Sequence, residues 1–120
     1  MKNREAINLF KFLTAFQDAG ITLEIGEWKT LNRNRNKLAE AVKVIDDARR
    51  ELVKKYSSED EKAEVIKVDQ ENFDAFEKEY IELIEQTIDL ELETISLDNL
   101  GDKMNSVVGI WEFMDYMVSK

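Results

Sequence analysis

The sequence contains no cysteine, no histidine and no proline among its 120 residues. Without thiols and imidazoles it can build no disulfide framework, no zinc site on those ligands, no cysteine nucleophile and no Ser-His-Asp triad. It also lacks a phosphate-binding glycine loop and the ligand spacing of an EF-hand. We therefore expect a protein that is not an enzyme, with no catalytic residue, no metal and no cofactor.

Long uncharged hydrophobic runs are lacking too, so the sequence predicts neither a signal peptide nor a membrane span. The chain is 43% hydrophobic, which is enough to form one core at this length. We expect a single domain, residues 1–120, that lies in the cytoplasm.

The four glycines, at positions 20, 26, 101 and 109, are the main punctuation between periodic segments. Apolar residues at helical spacing predict four helices, over 3–19, 27–56, 69–87 and 102–118. Alternating apolar and polar residues predict strands over 21–25 and 88–93, and leave a third strand over 64–68 open. The predicted fold class is α+β: mostly helical, with about four helices, one of them long, and a small sheet of two or three strands.

The second predicted helix is long for a chain of this size. At 1.5 Å per residue it would span roughly 40 Å, and its apolar residues form a heptad-like seam from Trp28 to Tyr56. Such a seam needs a neighbouring helix or a second subunit along its length. The last predicted helix is apolar around much of its circumference, so we expect a homo-oligomer formed through these two helices.

The net charge of −9 is unevenly distributed along the chain. Residues 1–56 carry 12 basic and 8 acidic side chains, whereas residues 57–120 carry 5 basic and 18 acidic ones. An acidic chain is a poor match for direct nucleic-acid binding, which relies on Lys and Arg. The basic first half nevertheless leaves room for a smaller anionic ligand.

The basic residues of the first half cluster near the start of the long helix. Arg33 and Lys37 are four residues apart and project from one helix face. Arg35 falls in the apolar seam, where a buried guanidinium needs a carboxylate of the protein or a bound anion as partner. Trp28 either stacks on a ligand ring or packs in the core. The candidate ligand-binding residues are therefore Trp28, Arg33, Asn34, Arg35, Asn36 and Lys37.

The acidic residues are densest over 69–93, which holds ten acids and one base. These acids either keep a helix face and the outer side of a strand solvated, or dock on a basic partner. In the second case we expect the interaction to use Asp74, Glu82, Glu85 and Glu91.

Several short segments also suggest a relationship. In chain order they are Lys2-Asn3-Arg4, Asn36-Lys37-Leu38, residues 48–52 with Lys55-Tyr56, Phe73 with residues 76–79, and residues 89–92 through 95–100. With these segments in this order, the chain resembles a family of small phage-encoded accessory proteins. The resemblance implies a non-catalytic phage protein in the cytoplasm of an infected bacterium. By analogy it also implies an antagonist of host defence.

Two hypotheses on function follow. In the first, the protein binds and sequesters an anionic, nucleotide-like signal through the residues 33–37. In the alternative, it is an acidic inhibitor, in the manner of a nucleic-acid mimic, that occludes a basic host defence protein. Neither hypothesis involves direct binding of nucleic acid or of a membrane.

Overall fold

The computed structural model describes residues 1–19, 23–58, 67–95 and 107–118. The described residues form four α-helices, with a short 3-10 helix before the third. They are α1 (Asn3–Asp18), α2 (Ile25–Lys55), α3 (Phe73–Glu85) and α4 (Ile110–Tyr116), and the 3-10 helix is Gln70–Asn72. The chain is mostly helical, as predicted, but the α+β prediction is wrong. In the described parts of the chain there is no strand, only two isolated bridges, Lys2 with Thr87 and Ile95 with Val118.

The first predicted strand, over 21–25, is replaced at its end by α2. Ile25 is already helical, while residues 20–22 lie outside the described part. The Glu27 carboxylate accepts the backbone N–H of Glu24 at 3.4 Å. This bond satisfies the backbone N–H of Glu24, which would otherwise have no partner at the start of the helix. Helix α2 therefore begins two residues earlier than its periodicity indicates. Of the optional strand over 64–68, the described residues 67 and 68 are not in a strand.

The predicted strand over 88–93 is irregular, although its alternation of burial is correct. Ile88, Leu90 and Leu92 pack partly buried against the core, and the acids between them are exposed. A sheet also needs a partner strand for the backbone. Here the N–H of Ile88 donates to the carbonyl of Met1 at 2.7 Å instead, outside any regular ladder.

Helix α1 is central because it contacts α2, α3 and α4. Its fully buried apolar residues are Ala6, Leu9, Phe12, Leu13 and Phe16. The helical spacing of the sequence predicts a buried stripe of Ala6, Leu9, Phe10, Leu13 and Phe16. Phe10 is only partly buried, whereas Phe12, which the spacing misses, is fully buried. The Phe12 ring stacks on Phe113 of α4 with 4.5 Å between centroids, so a second side of α1 is covered as well.

Helix α4 approaches α1 closely at Gly109, which precedes the helix rather than lying inside it. Gly109 has φ +92°, a left-handed conformation that favours glycine. A Cβ there would lie 2.3 Å from the carbonyl oxygen of Asn8. The predicted start at Asp102 lies outside the described residues, and α4 begins at Ile110.

The end of α3 is fixed to the start of α1. The sequence favours Asn3 as the N-cap of α1, but Asn3 is the first residue of the helix, and its side chain donates to the carbonyl of Leu83 at 2.8 Å. The Asn3 N–H donates to the carbonyl of Gln86 at 2.9 Å. The sequence also favours Asp69 as the N-cap of α3, but Asp69 lies just before the 3-10 helix and accepts hydrogen bonds from the backbone and side chain of Ser58. These contacts orient α3 against the other two long helices.

Candidate functional site

The candidate ligand-binding residues lie on the first half of α2, and Trp28 is the first of them. Its ring meets Phe16 edge to face, with centroids 5.8 Å apart, and the side chain is half-buried. Trp28 therefore packs at the edge of the core, one of the two roles expected for it.

Arg33 forms a two-pronged ion pair with Glu93. Its Nε and Nη2 atoms lie 2.6 and 2.9 Å from the two carboxylate oxygens, and Nη2 also reaches the Thr30 hydroxyl at 3.1 Å. The hydrogen bonds from Arg33 lower the pKa of Glu93, and the same bonds raise the pKa of Arg33. Glu93 thus occupies the position that a small anion would take on this guanidinium.

Asn34 is the buried polar residue of α2, with no exposed surface. Its amide nitrogen donates to the carbonyl of Glu93 at 2.8 Å, and its oxygen accepts the N–H of Glu93 at 2.9 Å. Lys37 donates to the carbonyl of Glu91 at 3.1 Å. The side chains at positions 33, 34 and 37 together hold residues 91–93 on α2. They supply the hydrogen bonds that a neighbouring strand would supply in a sheet.

Arg35 is only half-buried, whereas the sequence predicted a buried guanidinium with a carboxylate or a bound anion as its partner. Its guanidinium lies over the ring of Phe10, 5.3 Å from the centroid, on the neighbouring helix. Its Nε is buried with no hydrogen-bond partner. Within the described ranges, no carboxylate pairs with Arg35. Asn36 is exposed and forms no hydrogen bond there either.

The chain matches no family model, no curated protein and no solved structure.

Three acids of the second half are used to hold the fold together. Hydrogen bonds from Lys2, at 2.6 Å, and from Arg4, at 3.0 Å, lower the pKa of Glu85. Hydrogen bonds from Tyr56 and then Lys55 lower the pKa of Glu79. Together with Glu93, these carboxylates join the acidic half to the basic half. Glu85 was predicted as an interaction residue, but its carboxylate is already bound within the chain.

The other predicted interaction residues remain available. The side chains of Asp74 and Glu82 on α3 are exposed and form no hydrogen bond or ion pair with any described residue. The same holds for the side chains of Glu77, also on α3, and of Glu91. Lys37 donates only to the backbone carbonyl of Glu91. These side chains are free to meet a partner.

The exposed side of α3 also carries an apolar side chain among its acids. Ile81 is 49% exposed, and helical spacing places Glu77 one turn before it and Glu85 one turn after it. We call Asp74, Glu77, Ile81 and Glu82 the acidic face. The helical periodicity does not single out Ile81, because it lies outside the stripe predicted to be buried, which is Phe73, Phe76, Tyr80, Leu83 and Ile84.

No cluster of three acidic side chains that could hold a metal ion occurs in the parts of the chain described. In those same ranges, none of the helices combines the length and the hydropathy required to cross a membrane.

Proposed function

We propose that the protein is a non-catalytic binding protein whose acidic face docks on a basic surface of a host protein. The observation that carries the proposal is the division of the acids. Glu79, Glu85 and Glu93 are used in ion pairs within the chain, whereas Asp74 and Glu82 have no partner among the described residues. Unpaired acids also occur elsewhere, at Glu40 and Asp47 for example, so what favours α3 is that its unpaired acids surround the exposed Ile81.

Ile81 gives the acidic face an apolar centre. Protein interfaces commonly bury an apolar centre inside a polar rim, and the rim charges select the partner and speed its approach. Ile81 is half-exposed between the turns that carry Glu77 and Glu85, so it fits this arrangement.

The acidic face is also held in place before binding. Glu85, the last residue of α3, is tied to Arg4 of α1 and to Lys2 just before that helix, while Glu79 is tied to Lys55 of α2. A surface already ordered in the free protein loses less conformational entropy on binding. The resemblance to phage accessory proteins supports the setting, a host defence protein in the cytoplasm of an infected bacterium.

Charge reversal on the acidic face tests the proposal. The double variant Asp74→Lys/Glu82→Lys should no longer retain one basic host protein in co-purification, and retention by the unmodified chain should weaken with salt. The matched control is Glu40→Lys/Asp47→Lys on α2, which changes the net charge equally at two exposed acids without a partner in the described ranges. Glu85 is left unchanged because reversing it would break its pairs with α1.

Two further results test docking through the acidic face. Ile81→Ala should weaken binding of the purified partner even at high salt, since an apolar contact is not screened. Equal loss of binding in both double variants would mean that the partner responds to net charge alone, and this would overturn the proposal.

The second candidate function is sequestration of an anionic, nucleotide-like signal. The residues 33–37 do hold an anionic group, the Glu93 carboxylate, and the buried Nε of Arg35 has no hydrogen-bond partner. A ligand phosphate on Arg33 would have to displace Glu93. The variant Glu93→Gln should therefore raise the thermal shift caused by nucleotide second messengers. No shift in either protein would reject this function.

A further inference from the structure

A cavity of about 230 Å³ lies where α1, α2 and α3 meet. Its wall is mainly apolar. The residues that line it are Ile7, Lys11, Val42, Ile45, Asp46, Arg49 and Tyr80. None of them belongs to the basic cluster or to the acidic face.

The cavity is open to solvent on one side, and its volume suits a small molecule. An apolar cavity of about 150 Å³ is enough for benzene, whereas pockets for drug-sized ligands have roughly 300 to 1,000 Å³. A single six-membered ring with one short substituent therefore fits. The buried side chain of Ile45 and the ring of Tyr80 supply apolar contacts for such a ring.

The polar side of the cavity has an excess of positive charge. Nε and Nη2 of Arg49 both lie on one oxygen of Asp46, at 3.2 and 3.1 Å, while Arg50 binds the other oxygen at 3.2 Å. One carboxylate is thus shared by two guanidinium groups. Nη1 of Arg49 and the ammonium of Lys11 have no hydrogen-bond partner within the described residues. In a chain of net charge −9, this is a local excess of positive charge.

We propose that this cavity binds a small cyclic carboxylate with an apolar ring. The ring lies between Ile45 and Tyr80, and the carboxylate binds Lys11 and the free side of Arg49. This site is separate from the proposed docking function, because Tyr80 and Ile81 are neighbours that point about 100° apart on α3. Either proposal can fail without the other.

Titrations followed by ¹⁵N–¹H NMR test the site with benzoate, with the neutral benzyl alcohol and with inorganic phosphate. Benzoate should shift the amide signals of residues around Ile45 and Tyr80, and should bind more tightly than the other two probes. The variant Lys11→Gln, at an exposed position, should weaken benzoate binding about tenfold, as expected for the loss of a charged contact. The matched control is Lys29→Gln on α2, an exposed lysine outside the cavity wall, which should bind benzoate normally.

Three results would overturn the proposal. Benzyl alcohol binding as tightly as benzoate would mean that the charge is not recognised. Phosphate binding as tightly as benzoate would mean that the ring is not recognised. Equal benzoate affinity in the Lys11→Gln and Lys29→Gln variants would place the binding elsewhere on the surface.

Discussion

The side-chain amide of Asn34 pairs with the main chain of Glu93 as one strand residue pairs with another. It donates to the carbonyl at 2.8 Å and accepts the N–H at 2.9 Å, with no exposure of its own. A fully buried polar side chain on an amphipathic helix is costly unless it is hydrogen-bonded, and here both of its groups are.

Replacing Asn34 by Ala should leave both backbone groups of Glu93 without these partners. We expect the free energy of unfolding to fall by about 1 to 3 kcal/mol. Urea denaturation measures the loss, and faster amide exchange at Glu93 locates it. The control Asn36→Ala, at an exposed side chain two residues away, should stay within about 0.5 kcal/mol. Equal effects at the two positions would show that the Asn34 pairing adds nothing.

Gly109→Ala should be strongly destabilising, because a left-handed backbone is strained for alanine and the new Cβ would meet Asn8 at 2.3 Å. We expect a loss of roughly 2 to 5 kcal/mol in thermal or urea unfolding. Gly26→Ala is the matched control, since that Cβ meets nothing within 4 Å. Gly26 lies in α2, so this change should be neutral or stabilise by up to about 1 kcal/mol. A stable Gly109→Ala protein would mean that α4 does not pack on α1 at this distance.

Phe12→Ala should remove the ring stacked on Phe113 in the core, where both rings are fully buried. The expected cost is about 3 to 5 kcal/mol, from lost burial and from the cavity left behind. Phe73→Ala serves for comparison because the Phe73 ring is 52% exposed, and it should cost much less in the same urea titration. A small effect at Phe12 would contradict the central position of α1.

At acidic pH, the free energy of unfolding should depend on the ionisation of Glu93. Its pKa in the folded chain lies below the ordinary 4.5 because of the hydrogen bonds from Arg33. A lowered folded pKa contributes stability above the unfolded value, and this contribution is lost as the pH falls through the folded value. In the variant Arg33→Gln we expect a carbon-detected NMR titration to show the pKa of Glu93 moving up toward 4.5. The pKa of Glu85, lowered by Lys2 and Arg4, should stay low and provides the control inside the same protein. An unchanged titration of Glu93 would mean that the ion pair is not formed in solution.

Helix content was predictable from the sequence, because each helix has apolar residues at helical spacing. Helix α2 was predicted as 27–56 and is Ile25–Lys55, an error of two residues at one end and one at the other. The alternation over 88–93 also gave the correct buried residues, Ile88, Leu90 and Leu92. The strand predicted there was wrong, because a strand also depends on a partner backbone, and no described residue forms a ladder with residues 88–93.

The candidate site was predictable only in part. The sequence places Arg33 and Lys37 on one helix face, because residues four apart in an α-helix lie on the same side. The binding of Arg33 to Glu93, sixty residues away, has no local signal. The same applies to the cavity, whose lining comes from three helices.

What the sequence determined by itself is local: the helical periodicity, the excess of acid in the second half, and the absence of the side chains that most enzymes use. Only the tertiary structure decided which acids are paired with Lys and Arg and which remain exposed on α3. The physical reason is that periodicity depends on neighbours within a turn or two of helix, whereas an ion pair depends on how separate helices pack. Glu85 and Glu82 show the difference. They are three residues apart on the same helix, yet one is held by Lys2 and Arg4 while the other is exposed.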